Sequence, residues 1–145
     1  MRDGYEISTD RSRLNLDVIH GFLSTEAYWS PGVPREVTER AIANSIPFGV
    51  FAPDGSQAGF ARVVTDRAIF AYIADVFILP EHRSRKLGVL LIQTILEHPD
   101  LQGLRRIELH TLDAHGLYEQ CGFAPPVHPG RAMEILRSAE ELYRI

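Results

Sequence analysis

Apolar positions along the chain recur with two different periods, and these periods separate helices from strands. Helical spacing is clear at Leu16, Ile19 and Leu23, directly after Asn15, a residue type that caps helices. The same spacing recurs after Pro34 and after Lys86, while Pro99 and Gly122 supply stop signals. The predicted helices are Asn15–Ser24, Pro34 to about Asn44, Gly88–His98 and Ala114–Gln120.

Runs rich in Ile, Val, Phe and Tyr predict the strands, because these residues suit a half-buried sheet. Asp54–Gly55 is a strong hairpin signal, and Thr65–Arg67 turns the chain a second time. The predicted strands are Tyr5–Thr9, Phe48–Ala52, Gln57–Thr65, Phe70–Leu79, Arg106–Leu112 and a last one at Ala132–Leu136. Ser138–Tyr143 is expected to be a fraying tail.

The order of these elements predicts an α/β (α+β) fold built on one mixed sheet. The three strands between Phe48 and Leu79 are joined by short turns, so this first half should be antiparallel. Arg106–Leu112 follows a helix and should therefore return parallel to Phe70–Leu79. About four helices flank the sheet. A chain of 145 residues is long enough for one domain with a buried core, and residues 1–145 are expected to form it.

Composition excludes several functional classes. The formal charge is −4 and the isoelectric point is near 5.8, which argues against nucleic-acid binding. The one cysteine, Cys121, excludes an internal disulfide and a cysteine-built zinc site, and no histidine–carboxylate spacing indicates a metal. The first nine residues are polar, and no apolar run reaches membrane-spanning length. A cytoplasmic protein without a membrane partner is therefore expected.

The stretch Ile78–Leu91 joins the longest strand to a helix through a basic turn. The turn contains Arg83, Ser84, Arg85 and Lys86, and Lys86 is the chain's single lysine. The first N–H groups of a helix lack intrahelical acceptors, and the helix dipole is positive at this end. Together with three cationic side chains, these donors predict a phosphate or pyrophosphate site.

This turn resembles the acetyl-CoA-binding motif of the GNAT superfamily of N-acetyltransferases, Arg/Gln-x-x-Gly-x-Gly/Ala. Here the motif reads from Arg83 to Gly88, with Lys86 where the family usually has glycine. A later stretch, Asp113–Phe123, resembles the family's Ala…Leu-Tyr-x-x-x-Gly-Phe element. With the order of elements, the resemblance covers essentially the whole chain. It implies two central parallel strands that splay apart, with the pantetheine arm of acetyl-CoA in the gap.

The resemblance also implies where the acyl donor binds. Backbone N–H groups from Arg85 to Val89 would hold the pyrophosphate, and a backbone N–H near Ile78 would stabilise the oxyanion. Asp113 would contact the pantetheine arm, or cap the short helix that follows it. The cofactor-binding residues expected for acetyl-CoA are Phe77, Ile78, Arg83, Ser84, Arg85, Lys86, Leu87, Gly88, Val89 and Asp113.

Two residues are the candidates for catalysis. Tyr118 matches the family's general acid, and a phenol can protonate a departing thiolate. Asp75 is a carboxylate within an apolar strand, a costly position unless the group is paired or functional. Asp75 is the candidate base, and the alternative is a structural ion pair with Arg62 or Arg106. His110 is the second candidate for the base.

The acceptor site is expected at the irregular segment Thr25–Pro34, where Tyr28, Trp29 and Ser30 would border a pocket. The predicted reaction is direct acetyl transfer, in a ternary complex, to a primary amine of a small molecule. A protein or peptide amine is an alternative acceptor. The alternative from another class is a non-catalytic acyl-CoA-binding sensor, which Lys86 in the glycine position favours. A homodimer is expected from the resemblance.

Overall fold

The computed structural model describes residues 3–143, and these form one mixed sheet with helices on both faces. The strands are β1 (Glu6–Ser8), β2 (Ile46–Phe51), β3 (Gln57–Thr65), β4 (Phe70–Ile78) and β5 (Arg106–Glu108). The helices are α1 (Leu16–Thr25), α2 (Arg35–Ala43), α3 (Leu87–Leu96), α4 (His115–Glu119) and α5 (Ala139–Tyr143). No helix in this part of the chain has the length and apolar character needed to cross a membrane.

The five strands follow one another in chain order across the sheet, and only the last pair is parallel. Neighbours from β1 to β4 run antiparallel, as the short turns between β2, β3 and β4 predict. The parallel pairing of β4 with β5 covers only three residue pairs and ends at Tyr72 and Glu108. From Ile73 to Ile78, β4 continues without a strand partner on that side, among the residues described. This is the gap that the resemblance predicts.

A β-bulge interrupts β4 where this gap begins. Phe60 of β3 faces Phe77, whereas Arg62 faces Ala74, so two residues of β4 oppose one residue of β3. The extra residue is accommodated at Asp75, whose φ of 56° is unusual for a non-glycine residue. The bulge turns the Asp75 carboxylate out of the regular alternation of the strand. Its position was not predicted from the sequence.

Two apolar clusters lie on opposite faces of the sheet and fix the helices to it. The first packs α3 and α4 against the sheet through residues such as Leu91, Ile92 and Ile95. The second packs α1 and α2 through Ile19 and Ile42 onto the rings of Phe60 and Phe77, among others. Asn15 caps α1 as predicted, because its side chain accepts a hydrogen bond from the Val18 N–H at 3.2 Å.

Three predictions near the C-terminal end are wrong. Residues 132–136 form no strand and are exposed, so the sheet ends at β5 within the part described. The strand predicted over Arg106–Leu112 stops at Glu108, because pairing with β4 stops there. The expected tail, Ser138–Tyr143, instead includes the helix α5. The Ser138 hydroxyl caps its first turn by accepting a hydrogen bond from the Glu141 N–H at 3.1 Å.

Candidate active site at the gap between two parallel strands

The turn before α3 adopts two left-handed conformations in close succession. Ser84 has a φ of 65°, and Lys86, the N-cap of α3, has φ 60° and ψ 27°. Lys86 therefore adopts the conformation for which glycine is favoured, and the turn keeps its shape without glycine. A backbone that alternates in this way points successive N–H groups into one concavity, a geometry that binds anions.

The start of α3 supplies donors to the same concavity. The first backbone bond of the helix runs from the Leu90 N–H to the Lys86 carbonyl at 3.2 Å. The N–H groups of Leu87, Gly88 and Val89 precede that bond, so no carbonyl of α3 accepts from them. These are three of the five residues predicted to cradle a pyrophosphate.

Arginine side chains tie the turn to its surroundings. Arg83 Nε donates to the carbonyl of Ile78 at 2.9 Å, which joins the turn to the last residue of β4. The guanidinium of Arg85 lies 5.7 Å from the centre of the Tyr5 ring, and the Tyr5 hydroxyl lies 2.8 Å from Nδ1 of His82. The anchored arginines remain exposed to solvent, where they can approach a ligand phosphate.

These residues fit the pyrophosphate of acetyl-CoA. Backbone donors, the positive end of a ten-residue helix and exposed cations converge there, and no Asp or Glu lies between Arg83 and Leu96. Gly88 lies against α4, since a Cβ at this position would be 3.4 Å from the methyl groups of Leu117, an ordinary contact distance. Lys86, Arg83 and Ser84 are all on the exposed side of the turn.

The end of β4 presents backbone groups to the gap. The Phe77 side chain is buried and stacks on Phe22, with the ring centres 4.1 Å apart. The Leu79 N–H donates to the Ala58 carbonyl on the β3 side at 2.8 Å. Because N–H directions alternate along a strand, the Ile78 N–H points the opposite way, towards the gap. Its direction suits the oxyanion donor expected near this residue.

Asp75 is held by two donors from different parts of the fold. Arg62 Nε of β3 donates to Oδ2 at 2.6 Å, and Trp29 Nε1 donates to Oδ1 at 2.8 Å. The charged ends of Arg62 and Asp75 are mostly buried, with side-chain exposures of 19% and 14%. The ion pair with Arg62 was one of the two interpretations of Asp75, and the contact with Trp29 was not foreseen. Each carboxylate oxygen retains a lone pair that can accept a hydrogen bond from a further donor.

The aromatic residues between α1 and α2 lie across the gap, but Ser30 does not. The hydroxyl oxygen of Tyr28 accepts from the Leu112 N–H, beyond the end of β5, at 3.0 Å. Tyr28 and Trp29 meet edge to face, with ring centres 5.0 Å apart. The Ser30 hydroxyl instead donates to the Leu23 carbonyl at 2.7 Å, which closes the loop onto α1. The loop is therefore fixed to β4 and to the segment that follows β5.

Tyr118 lies on α4 and is 8% exposed. Burial raises the pKa of its phenol to about 12, and nearby Tyr28, Cys121 and Asp113 act in the same direction. The ring packs edge to face against Phe123, with the centres 6.0 Å apart. The phenol is thus protonated throughout the neutral range and can donate a proton. Burial also raises the pKa of the neighbouring Cys121 thiol, as expected of a small packed side chain.

The remaining candidates are less well placed. His110 is largely exposed, and its Nε2 lies 3.3 Å from a Glu108 carboxylate oxygen. Asp113 is exposed and does not cap α4: the N-cap residue is Ala114, whose N–H donates to the Thr111 hydroxyl at 3.0 Å. The capping interpretation of Asp113 is therefore wrong. Residues 3–143 contain no group of three or more His, Cys, Asp or Glu side chains that could hold a metal.

Sequence reasoning missed Tyr72, which lies near the gap on β4. Burial raises the pKa of its phenol, and the Glu108 carboxylate adds to the shift. Its ring meets that of His110 edge to face at 5.6 Å. Tyr72 precedes Asp75 by three residues, a spacing that regular alternation would place on opposite faces. The bulge at Asp75 interrupts this alternation, so no signal in the sequence indicated that Tyr72 and Asp75 lie on the same side of the sheet.

Comparison with known proteins agrees with this geometry. Residues 16–123 match the model of the acetyltransferase (GNAT) family. A curated protein of Gibberella zeae, named "Putative acetyltransferase", is 33% identical, with 81% of this chain and 77% of that protein covered. A crystal structure of a GNAT-family protein from Xanthomonas campestris pv. campestris is 46% identical, covers 100% of both chains and superposes with a TM-score of 0.94.

More distant structures share the fold. Spermidine N-acetyltransferase from Vibrio cholerae, solved in complex with CoA and spermine, is 21% identical and has a TM-score of 0.67. The alignment covers 83% of this chain and 81% of that one. The family match includes the bulged strand, the turn before α3 and the short helix that carries Tyr118. The chain belongs to the GNAT family of acetyltransferases.

Proposed function

We propose that this protein transfers an acetyl group from acetyl-CoA to a primary amine of a small molecule, by direct attack within a ternary complex. The observation that carries the proposal is the arrangement around β4. The turn that follows the end of β4 has the geometry of an anion site. The Asp75 carboxylate at the bulge is held by two hydrogen bonds, and a gap opens beside β4 where its pairing with β5 ends. Donor and acceptor sites would then meet in one gap.

The chain's own residues would hold the donor as follows. The N–H groups of Leu87, Gly88 and Val89, with the cationic turn, would bind the pyrophosphate. Backbone groups on the gap side of β4, which include those of Ile78 but not those of Phe77, would pair with the pantetheine arm as an additional strand would. Acetyl-CoA supplies the acyl group as a thioester, and anchoring it far from the reacting carbon lets binding energy position that carbon.

Two side chains would transfer protons during the reaction. Asp75 would accept a proton from the attacking amine, directly or through a water, while Trp29 and Arg62 keep its carboxylate oriented. The buried Tyr118 phenol would donate to the departing thiolate, consistent with its raised pKa. The Ile78 N–H would donate to the carbonyl oxygen as negative charge develops.

The acceptor is proposed to enter beside Trp29 and Tyr28. An alkylammonium group is attracted to an aromatic face and to a carboxylate, and both are present where Trp29 meets Asp75. Tyr28 is more than half exposed, so the mouth of the site is open to solvent. We also propose that the enzyme acts in the cytoplasm, where CoA thioesters and small amines are both available.

A non-catalytic acyl-CoA sensor was favoured only by Lys86 in the glycine position. Lys86 adopts the left-handed conformation that glycine would supply, so this departure from the motif leaves the backbone cradle intact. The matched chain from Xanthomonas campestris shares the whole length of this fold.

The test is CoA release from acetyl-CoA in the presence of a panel of primary amines, followed with a thiol reagent. Diamines, amino sugars and amino acids should be included, with a lysine-containing peptide as the alternative acceptor class. The proposal predicts at least one small amine whose acetylation exceeds the uncatalysed rate and is lost in Tyr118→Phe. Acetyl-CoA binding without turnover on any amine would favour the sensor instead.

A further inference from the structure

The face of the sheet beside Asp75 is only partly covered by helices. Ala71 and Ile73 of β4 point into the first apolar cluster, so Tyr72 between them points to the opposite face, on which α1 and α2 pack. Val64 lies opposite Tyr72 on β3 and is exposed to solvent, so α1 and α2 do not reach this part of the sheet. A ligand held at Asp75 can therefore extend over Tyr72.

Glu108 stands next to Tyr72 on this open face. The two residues are paired in the register between β4 and β5, so their side chains leave the sheet on the same side. The Glu108 carboxylate is partly exposed, and one of its oxygens lies 3.3 Å from Nε2 of His110. No arginine within residues 3–143 forms an ion pair with it. The carboxylate can therefore accept a cation from outside the chain.

Tyr72 lies between two carboxylates. Its ring meets that of His110 edge to face at 5.6 Å, which fixes one side of the ring. Burial raises the pKa of its phenol, and the charges of Glu108 and Asp75 raise it further, whereas the charge of Arg62 lowers it. The hydroxyl makes no hydrogen bond with another residue of the described chain. A half-buried phenol in this position suits a ligand that donates hydrogen bonds.

We propose that the acceptor carries two ammonium groups, and that Glu108 and the Tyr72 ring bind the second one while the reacting nitrogen lies at Asp75. Glu108 is then the residue that determines specificity for the acceptor. A carboxylate pairs with an ammonium group, and the face of a tyrosine ring attracts one as well. The inference rests on the proposed function, because it assigns the second group of the same acceptor.

The spacing of the two carboxylates sets the length of the acceptor. Asp75 follows Tyr72 by three positions, roughly 10 Å along a strand, and Glu108 lies roughly 5 Å to the side of Tyr72. The Cα atoms of Asp75 and Glu108 are therefore roughly 11 Å apart, and the side chains can hold two nitrogens roughly 7–9 Å apart. An extended diamine of about five or six carbons has this length, at roughly 1.25 Å for each bond.

The cations nearby do not cancel the attraction at Glu108. Arg62 is paired with Asp75 at 2.6 Å, so that pair is neutral as a whole. Arg106 precedes Glu108 by two positions on β5 and lies on the side away from Asp75. His110 competes for the Glu108 carboxylate only when its ring is protonated. A second ammonium group therefore finds an available carboxylate at the distance that the strands define.

Binding of amines in the presence of excess CoA tests the inference without turnover. Calorimetry should compare hexamethylenediamine with hexylamine, which has the same carbon chain but lacks the second cation. We expect the diamine to bind about tenfold more tightly to the wild type. In Glu108→Gln this advantage should fall to about threefold or less, with the affinity for hexylamine unchanged. Trimethylenediamine is too short to reach both carboxylates, so it should bind no more tightly than propylamine.

Glu119→Gln is the matched control, because it removes an exposed carboxylate on α4 and should keep the advantage of the diamine. Both glutamates are exposed, so the melting temperatures of the two variants should equal that of the wild type. Equal affinities of hexamethylenediamine and hexylamine for the wild type would overturn the inference, as would a failure of both to bind. An advantage that survives Glu108→Gln, or that is lost in Glu119→Gln, would also overturn it. Failure of the proposed function is a different result, namely no acetylation of any amine.

Discussion

Trp29 Nε1 donates a hydrogen bond to Asp75 Oδ1 at 2.8 Å, although the two residues are 46 positions apart in the chain. The bond joins the loop between α1 and α2 to the bulge in β4. Arg62 occupies the other carboxylate oxygen, so the orientation of Asp75 is determined from two sides. The proposed acceptor loop and the proposed base are therefore one structural unit.

Trp29→Phe keeps an aromatic ring but removes the donor to Asp75. A hydrogen bond to a charged group contributes about 1.5–3 kcal/mol, so we expect kcat/KM for the amine to fall by roughly tenfold or more. The dissociation constant of acetyl-CoA should not change. Tyr28→Phe is the control, since it removes the acceptor for the Leu112 N–H and leaves Asp75 untouched. Equal kcat/KM for the amine in wild type and Trp29→Phe would show that the hydrogen bond from Trp29 does not support the function of Asp75.

Asp75→Asn tests whether the carboxylate acts as a base or only as an ion-pair partner. If it is the base, kcat should fall by about a hundredfold or more. Arg62→Gln is the matched variant: it breaks the same ion pair at 2.6 Å but keeps the carboxylate. Arg62→Gln should lower the free energy of unfolding by about 2 kcal/mol and retain most of the wild-type kcat. Similar kinetics for both variants would assign Asp75 a structural role.

Tyr118→Phe should lower turnover by about a hundredfold or more, because the departing thiolate would lose its proton donor. The affinity for acetyl-CoA should stay within about threefold, since the ring and its packing on Phe123 are kept. Tyr72→Phe is a control with another partly buried phenol of raised pKa. Unchanged turnover in Tyr118→Phe would remove this residue from the mechanism.

The raised pKa of Tyr118 also predicts how stability depends on alkaline pH. Its pKa is about 12 in the folded protein and 10 as the ordinary value, so the folded state holds the proton more tightly. The resulting stabilisation is complete below pH 10 and is lost as pH rises towards 12. At pH 11 the loss should be on the order of 1 kcal/mol. Urea unfolding at pH 9 and pH 11 should show a smaller decrease for Tyr118→Phe than for wild type.

Substitutions at Lys86 can distinguish the effect of the turn's backbone conformation from the effect of the lysine charge. Lys86→Gly relieves a left-handed residue, whereas Lys86→Ala keeps the strain and removes the ammonium. We expect the glycine variant to be more stable than the alanine variant by about 1 kcal/mol in urea unfolding. Acetyl-CoA affinity should fall less than tenfold in Lys86→Gly, because the proposed cradle is backbone. A larger loss would show that the ammonium is essential.

Sequence reasoning was most successful where neighbouring residues determine the structure. The helix after Asn15 and the strand Gln57–Thr65 depend on local periodicity and on local caps or turns, and both were predicted closely. The turn before α3 was predicted for the same reason.

The features that sequence did not reveal depend on distant partners. The bulge at Asp75 exists only in the register between β3 and β4, and the bond from Trp29 requires both the bulge and the loop. The strand predicted at Ala132–Leu136 has suitable residues but no strand neighbour among residues 3–143. Periodicity describes which side chains a segment can bury, and it does not identify the surface that buries them.

The most direct test of the central claim is calorimetric titration of the protein with acetyl-CoA, with ATP and NAD as control ligands. We predict micromolar affinity for acetyl-CoA and much weaker binding of both controls, since only acetyl-CoA joins a pyrophosphate to a pantetheine arm. Binding should persist in Tyr118→Phe and Asp75→Asn. Absence of acetyl-CoA binding, or equal binding of ATP, would contradict the assignment of the turn from Arg83 to Val89 as the donor site.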